Sequence, residues 1–214
     1  MKLKSSKIMM LALIGSLFLS ISSVYAETAQ KYKDLGNTYY AQGNLPQAIA
    51  EYSKAVEIDP KDPDTYKSRG IAYYAQGSLP QAISDYTKAI EIKPDYTEVY
   101  CDRGLAYGKQ GDVLKAISDF TKAIEIDPKF AKAYYYRGFS YYKQENLPQA
   151  ISDYTKAIEI NPNLPHAYSN RGIAYYKIKD YDKAWVDVHK AEGLGLAINP
   201  EFLAALKKAS GRDK

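Results

Sequence analysis

One cysteine, Cys101, and two histidines, His166 and His189, are the side chains best suited to covalent or metal chemistry in this 214-residue chain. Their placement argues against both. Neither histidine shares a cluster with cysteine or carboxylates at metal-ligand spacing. A lone thiol needs a resolving cysteine or a thiolate-stabilising neighbour to be reactive. None is evident, so Cys101 reads as a small filler. GLAYGK at 104–109 has the look of a phosphate-cradling loop, but its spacing is one residue short and Gln110 stands where Ser or Thr belongs. No G-x-S-x-G elbow and no calcium-binding loop occurs. The chain therefore reads as a non-enzyme, with no cofactor and no metal site expected.

The remaining chemistry is electrostatic. Arg69, Arg103, Arg137 and Arg171 each precede an aspartate by 16 residues: Asp85, Asp119, Asp153 and Asp187. If the intervening chain turns back as an antiparallel helical hairpin, each Arg faces its Asp, and four ion pairs are expected. The alternative is two unrelated solvated charges.

Those pairs need elements to hold them, and the chain spells them repeatedly. LPQAISDYTKAIEI occurs at 79–92 and again at 147–160, with VLKAISDFTKAIEI between them at 113–126 and LPQAIAEYSKAVEI at 45–58. Gly36, Gly70, Gly104, Gly138 and Gly172 are 34 residues apart throughout. The units are 29–62, 63–96, 97–130, 131–164 and 165–198. Each first half places Tyr, Gly and Tyr at positions 4, 8 and 11, a helical spacing. Each second half has an apolar stripe such as Ala82, Ile83, Tyr86, Ala89 and Ile90, an amphipathic helix. Asn44, Ser78, Asp112, Asn146 and Asp180 stand where an N-cap belongs. Proline at D-P, K-P or N-P stops the second helix. A hairpin of this size cannot bury its own apolar face, and stacking buries it. Gly inside a helix costs about 1 kcal/mol relative to Ala. Its recurrence at position 8 predicts close approach of the two helices, with Ala at position 20 opposite.

These positions are the signature of the tetratricopeptide repeat, and the sequence resembles that family over residues 29–198. The resemblance implies an all-α fold, a right-handed superhelical solenoid of five helix-turn-helix repeats. NPEFLAALKKA at 199–209 reads as a C-terminal capping helix, with Asn199 as N-cap and Phe202 and Leu206 on one face. Residues 210–214 form a tail. Two departures stand out: Tyr at position 4 where the family often has Trp, and Arg at position 7 where Leu is commoner.

The resemblance also implies a protein-binding role, with positions 2, 5, 9, 12 and 13 lining a concave groove. Here that places Lys67, Cys101 and Tyr135 at position 5, and Ile71, Leu105, Phe139 and Ile173 at position 9. Position 12 adds Tyr142 and Tyr176, and position 13 adds Lys109, Lys143 and Lys177. The second helices are nearly copied while these positions vary, as selective binding requires; drift at lax positions is the alternative. Some relatives clamp a terminal carboxylate with Lys and Asn. Lys33 and Asn37 match that set, but Glu98 and Asp102 would repel an anion. The expected partner is another protein, offering a peptide or helix with apolar anchors and some acidic character.

The N-terminus bears on location. Lys2, Lys4 and Lys7 precede an apolar run from Ile8 to Ile21, and Val24-Tyr25-Ala26 is a small-x-small cleavage site. Residues 1–26 read as a secretory signal peptide, so the expected location is periplasmic or secreted. Nothing after it is apolar enough to span a membrane. The net charge of +4 falls to +1 without the leader's three lysines, which gives no case for nucleic acid as partner. The expected function is a non-enzymatic interaction scaffold in the cell envelope. Two alternatives stay open: a module that forms homo-oligomers through exposed repeat ends, and a small-ligand or glycan binder.

Overall fold

The computed structural model describes residues 24–212. Every regular element among them is an α-helix. The leader expected at 1–26 lies outside them except for residues 24–26, which begin the first described helix. The chain divides into two compact units, one ending at Pro94 and one starting at Asp95.

The first unit holds α1 (24–41), α2 (Leu45–Ile58), α3 (Pro63–Gln76) and α4 (Leu79–Ile92). Helix α3 packs on both α2 and α4. The second unit holds α5 (Thr97–Gln110), α6 (Val113–Ile126), α7 (Ala131–Lys143), α8 (Leu147–Ile160), α9 (Pro165–Lys177), α10 (Tyr181–Gly193) and α11 (Pro200–Ser210). Its consecutive helices pack in chain order, and α7 also meets α5 and α9.

The core of the first four hairpins is an aromatic ring seated on a glycine. A Cβ built on Gly104 would lie 2.7 Å from Phe120 Cε1, and one on Gly70 would lie 2.7 Å from Tyr86 Cε1. Tyr52 covers Gly36 and Tyr154 covers Gly138 in the same way. The residue opposite glycine is thus mainly the position-24 aromatic rather than the position-20 alanine. The alanines Ala48, Ala82, Ala116, Ala150 and Ala184 are fully buried. The carbonyl oxygens of Ala150 and Ala184 would lie 3.2 and 3.3 Å from a Cβ on Gly138 and Gly172. In the last hairpin Val188 replaces the ring, and its Cγ2 would stand 3.8 Å from a Cβ on Gly172.

The second helices start at the expected N-cap residues, but four of those side chains make no capping bond. Pro46, Pro80 and Pro148 occupy the first helical turn and remove an N–H that such a side chain would use. Asp112 instead accepts from Lys115 Nζ at 2.8 Å. Only Asp180 caps through its side chain, accepting from the Lys183 N–H. Asn199 caps α11 as expected, accepting from the N–H groups of Glu201 and Phe202.

Helix α11 closes the apolar side of α10. Leu206 is fully buried in a cluster with Trp185, Val188 and Ala191. Trp185 Nε1 donates to Ser210 Oγ at 3.0 Å, so the indole's polar edge is satisfied as it is buried.

Candidate peptide-binding face

The arginine–aspartate pairs form as the spacing predicts. Arg69, Arg103, Arg137 and Arg171 each donate from Nε and Nη2 to both carboxylate oxygens of Asp85, Asp119, Asp153 and Asp187, at 2.7–2.8 Å. Each guanidinium also stands over the position-4 tyrosine of its own helix, as Arg137 does over Tyr134 at 5.6 Å. The tyrosine at position 4 thus faces the arginine that stands in place of leucine at position 7. In the first hairpin, where Leu35 stands, Lys54 takes over both roles. It donates to Glu51 at 2.7 Å and covers the Tyr32 ring at 5.3 Å.

A third contact was not read from the sequence. The remaining guanidinium nitrogen reaches a hydroxyl on the preceding hairpin: Arg69 to Ser53, Arg137 to Thr121 and Arg171 to Thr155, at 2.9–3.1 Å. The signal was present. Position 25 is Ser53, Thr87, Thr121 and Thr155, and becomes His189 in the last unit. These networks tie a first helix both to its own second helix and to the hairpin before it.

In the first unit Lys67 and Ile71 lie half-buried on α3. In the second unit the expected groove residues fall on α5, α7 and α9, and they divide into three sets.

The first set is exposed or half-exposed. Phe139 keeps 41% of its surface open, a large value for a phenylalanine on an otherwise packed helix. Lys143 Nζ stands 5.3 Å from its ring centre. Lys109 is exposed at the end of α5, and Leu105 and Ile173 are half-buried.

The second set is held by internal contacts. Tyr135 packs edge-on to Tyr136 at 5.1 Å, and its hydroxyl accepts from Asn170 Nδ2 at 3.2 Å. Tyr142 lies under Lys177, whose Nζ is 4.8 Å from the ring centre and donates to Glu145. Asn170 and Glu145 were missed because each is unusual for its repeat position. Glu145 stands where Gly43, Gly77 and Gly111 stand in earlier turns.

The third set corrects the sequence reading. Cys101 is 3% exposed and packs with Ala116 and Phe120, so it offers no thiol to the face. Burial pushes that thiol up to about 12. Tyr176 stays half-buried, meeting Phe202 of the cap edge-on at 5.6 Å and Tyr181 of α10 at 5.9 Å.

Phe139 has a counterpart that shows what it gives up. At the same repeat position Asn37 accepts from the Tyr52 hydroxyl at 2.8 Å. Phe139 can offer Tyr154 no such acceptor, and it leaves a ring in solvent instead. Among the described residues no group of three His, Cys, Asp or Glu is placed to hold a metal ion.

Tetratricopeptide-repeat sequence models match residues 36–77, 70–111 and 140–179, and two further models of the same repeat match 97–130 and 120–152. The chain belongs to the tetratricopeptide repeat family. No curated protein matches this tetratricopeptide repeat chain. Among solved structures, MamA is 29% identical with a TM-score of 0.71, covering 81% of this chain and 99% of that one. PilF of Pseudomonas aeruginosa is 22% identical with a TM-score of 0.78, covering 88% and 86%. YrrB, described as a TPR protein with an unusual peptide-binding site, is 22% identical with a TM-score of 0.65, covering 84% and 90%. Membership of the family supports a protein-interaction scaffold, and tetratricopeptide repeat proteins are in general non-catalytic.

Proposed function

We propose that this tetratricopeptide repeat protein is an exported, non-enzymatic scaffold that holds a peptide or helix of apolar and acidic character on the α5–α7–α9 face. The observation that carries this reading is Phe139. It is an open aromatic anchor with an ammonium directly above it, on a helix whose opposite side is fixed by the Arg137 network. Aromatic anchors beside charged groups are favoured binding hot spots. The peptide-binding site named for YrrB is a precedent on a similar fold. Export rests on the leader pattern of residues 1–26; among the described residues no helix is long and apolar enough to cross a membrane.

Growth of an array through its C-terminal end is disfavoured, because α11 already covers the face of α10 that a further hairpin would need.

Selection of a random peptide library against the wild-type protein and against Phe139→Glu tests the reading. Wild type should enrich sequences with spaced apolar residues and Asp or Glu, and F139E should lose them. Enrichment that is equal for both proteins would refute the assignment of this face.

A further inference from the structure

The turn after α7 is built differently from the turns before it. Gly77 and Gly111 cap α3 and α5 in the left-handed region, at φ 88° and 97°. The same place after α7 holds Glu145 at φ 58°. That conformation crowds a Cβ against the following carbonyl, so glycine is the easier residue there. Lys179, at the same place after α9, is also left-handed at φ 65°, so it is the contact Glu145 makes, and not its backbone, that sets it apart.

The side chain reaches the next hairpin. Lys177 Nζ donates to both Glu145 carboxylate oxygens, at 2.7 and 3.0 Å, across 32 residues of sequence. The same ammonium stands 4.8 Å from the centre of the Tyr142 ring. The hydrogen bond to Glu145 holds the lysine above its ordinary pKa. An ammonium over an aromatic face is what an acidic residue flanked by apolar anchors would seek. Here the chain's own carboxylate already occupies it. The turn preceding Lys143 carries Gly111, which has no carboxylate to offer. Lys143 stands instead over the open Phe139 ring.

We propose that Glu145 is a built-in competitor for Lys177, so that the acidic side chain of a bound peptide is read by Lys143 beside Phe139. Glu145 is thus a specificity-determining residue of the face, an inference that rests on the peptide-holding role proposed above. The pair is solvent-accessible, with side chains 33% and 69% exposed, so the carboxylate can be displaced or removed without disturbing the core.

The test is fluorescence anisotropy with two probes: a labelled amphipathic peptide of Leu, Ala and Glu, and the same peptide with Gln for every Glu. Glu145→Gln should strengthen binding of the Glu probe about three- to fivefold and leave the Gln probe unchanged. Glu145→Gly, which restores the residue of the earlier turns, should reproduce that gain. Adding Lys177→Gln to either variant should abolish it. If both probes bind wild type and their affinity ratio is unchanged in the Glu145 variants, this inference is overturned and the peptide-holding role stands. If neither probe binds any of the proteins, the peptide-holding role and this inference fall together.

Discussion

Arg137 joins three helices through one planar group. Its Nε and Nη2 donate to Asp153 at 2.7 and 2.8 Å, and its Nη1 donates to Thr121 Oγ1 at 3.1 Å. Asp153 lies on the partner helix of the same hairpin, and Thr121 on the hairpin before it. The side chains of the pair are 17% and 9% exposed, so the interaction is neither deeply buried nor solvated. Arg137→Ala should cost about 2–3 kcal/mol, below the full penalty for stranding a fully buried charge. A double-mutant cycle with Asp153→Ala should recover more than about 1 kcal/mol of coupling. Lysine should not rescue, because it lacks the fork that meets both oxygens. Urea denaturation showing additive single-mutant effects would remove the network from the account of stability.

The glycine–ring seat gives a prediction with its own control. Gly104→Ala places a Cβ 2.7 Å from Phe120 Cε1, and the ring has little room to retreat. The substitution should destabilise by about 1–3 kcal/mol despite alanine's better helix propensity. In the last hairpin a valine already replaces the ring over Gly172. Gly104→Ala in a Phe120→Val background should therefore cost much less than in the wild type. Thermal melts of the four proteins decide it, and a penalty that is the same in both backgrounds would show that the ring is not what excludes the methyl.

Cys101 should be chemically silent in the native protein. It is buried against Phe120, and its thiol pKa is pushed up to about 12, so almost no thiolate exists at neutral pH. Labelling by iodoacetamide should be slow in buffer and rapid in denaturant. Fast labelling of the folded protein would mean that α5 opens readily.

Asp62 links α1 to the start of α3. It accepts from Lys33 Nζ at 2.9 Å, Thr65 Oγ1 at 2.6 Å and the Asp64 N–H at 3.0 Å. Burial alone would raise its pKa, but these hydrogen bonds outweigh burial and hold the carboxyl below its usual value. A carboxylate with a depressed folded pKa contributes stability that is complete above the unfolded value and is lost as pH falls through the folded one. Wild type should exceed Asp62→Asn in stability near neutrality, and the difference should shrink below about pH 4. A difference in urea midpoints that stays constant from neutral to acid pH would assign the effect to shape rather than charge.

The groove residues show why a pattern of positions is a partial guide. Phe139 and Lys143 were legible because their exposure follows from repeat position. Cys101 and Tyr176 occupy equally qualified positions, yet Cys101 is buried against Phe120 while Tyr176 stays half-buried beside Phe202. Burial there is decided by which neighbour happens to be large or present.

The sequence by itself determined everything that recurs within a hairpin. The helices, their capping residues, the Arg–Asp pairing and the α11 cap all follow from local preference or from positions that vary together from unit to unit. The tertiary structure alone decided what one element does to another of different sequence. The Phe202 contact on Tyr176, the Asn170–Tyr135 hydrogen bond and the Glu145–Lys177 pair belong to this second class. The reason is physical: a contact inside a repeated unit is copied with the unit and leaves a periodic trace. A contact between elements depends on how their backbones are set a few ångströms apart, which no single unit encodes.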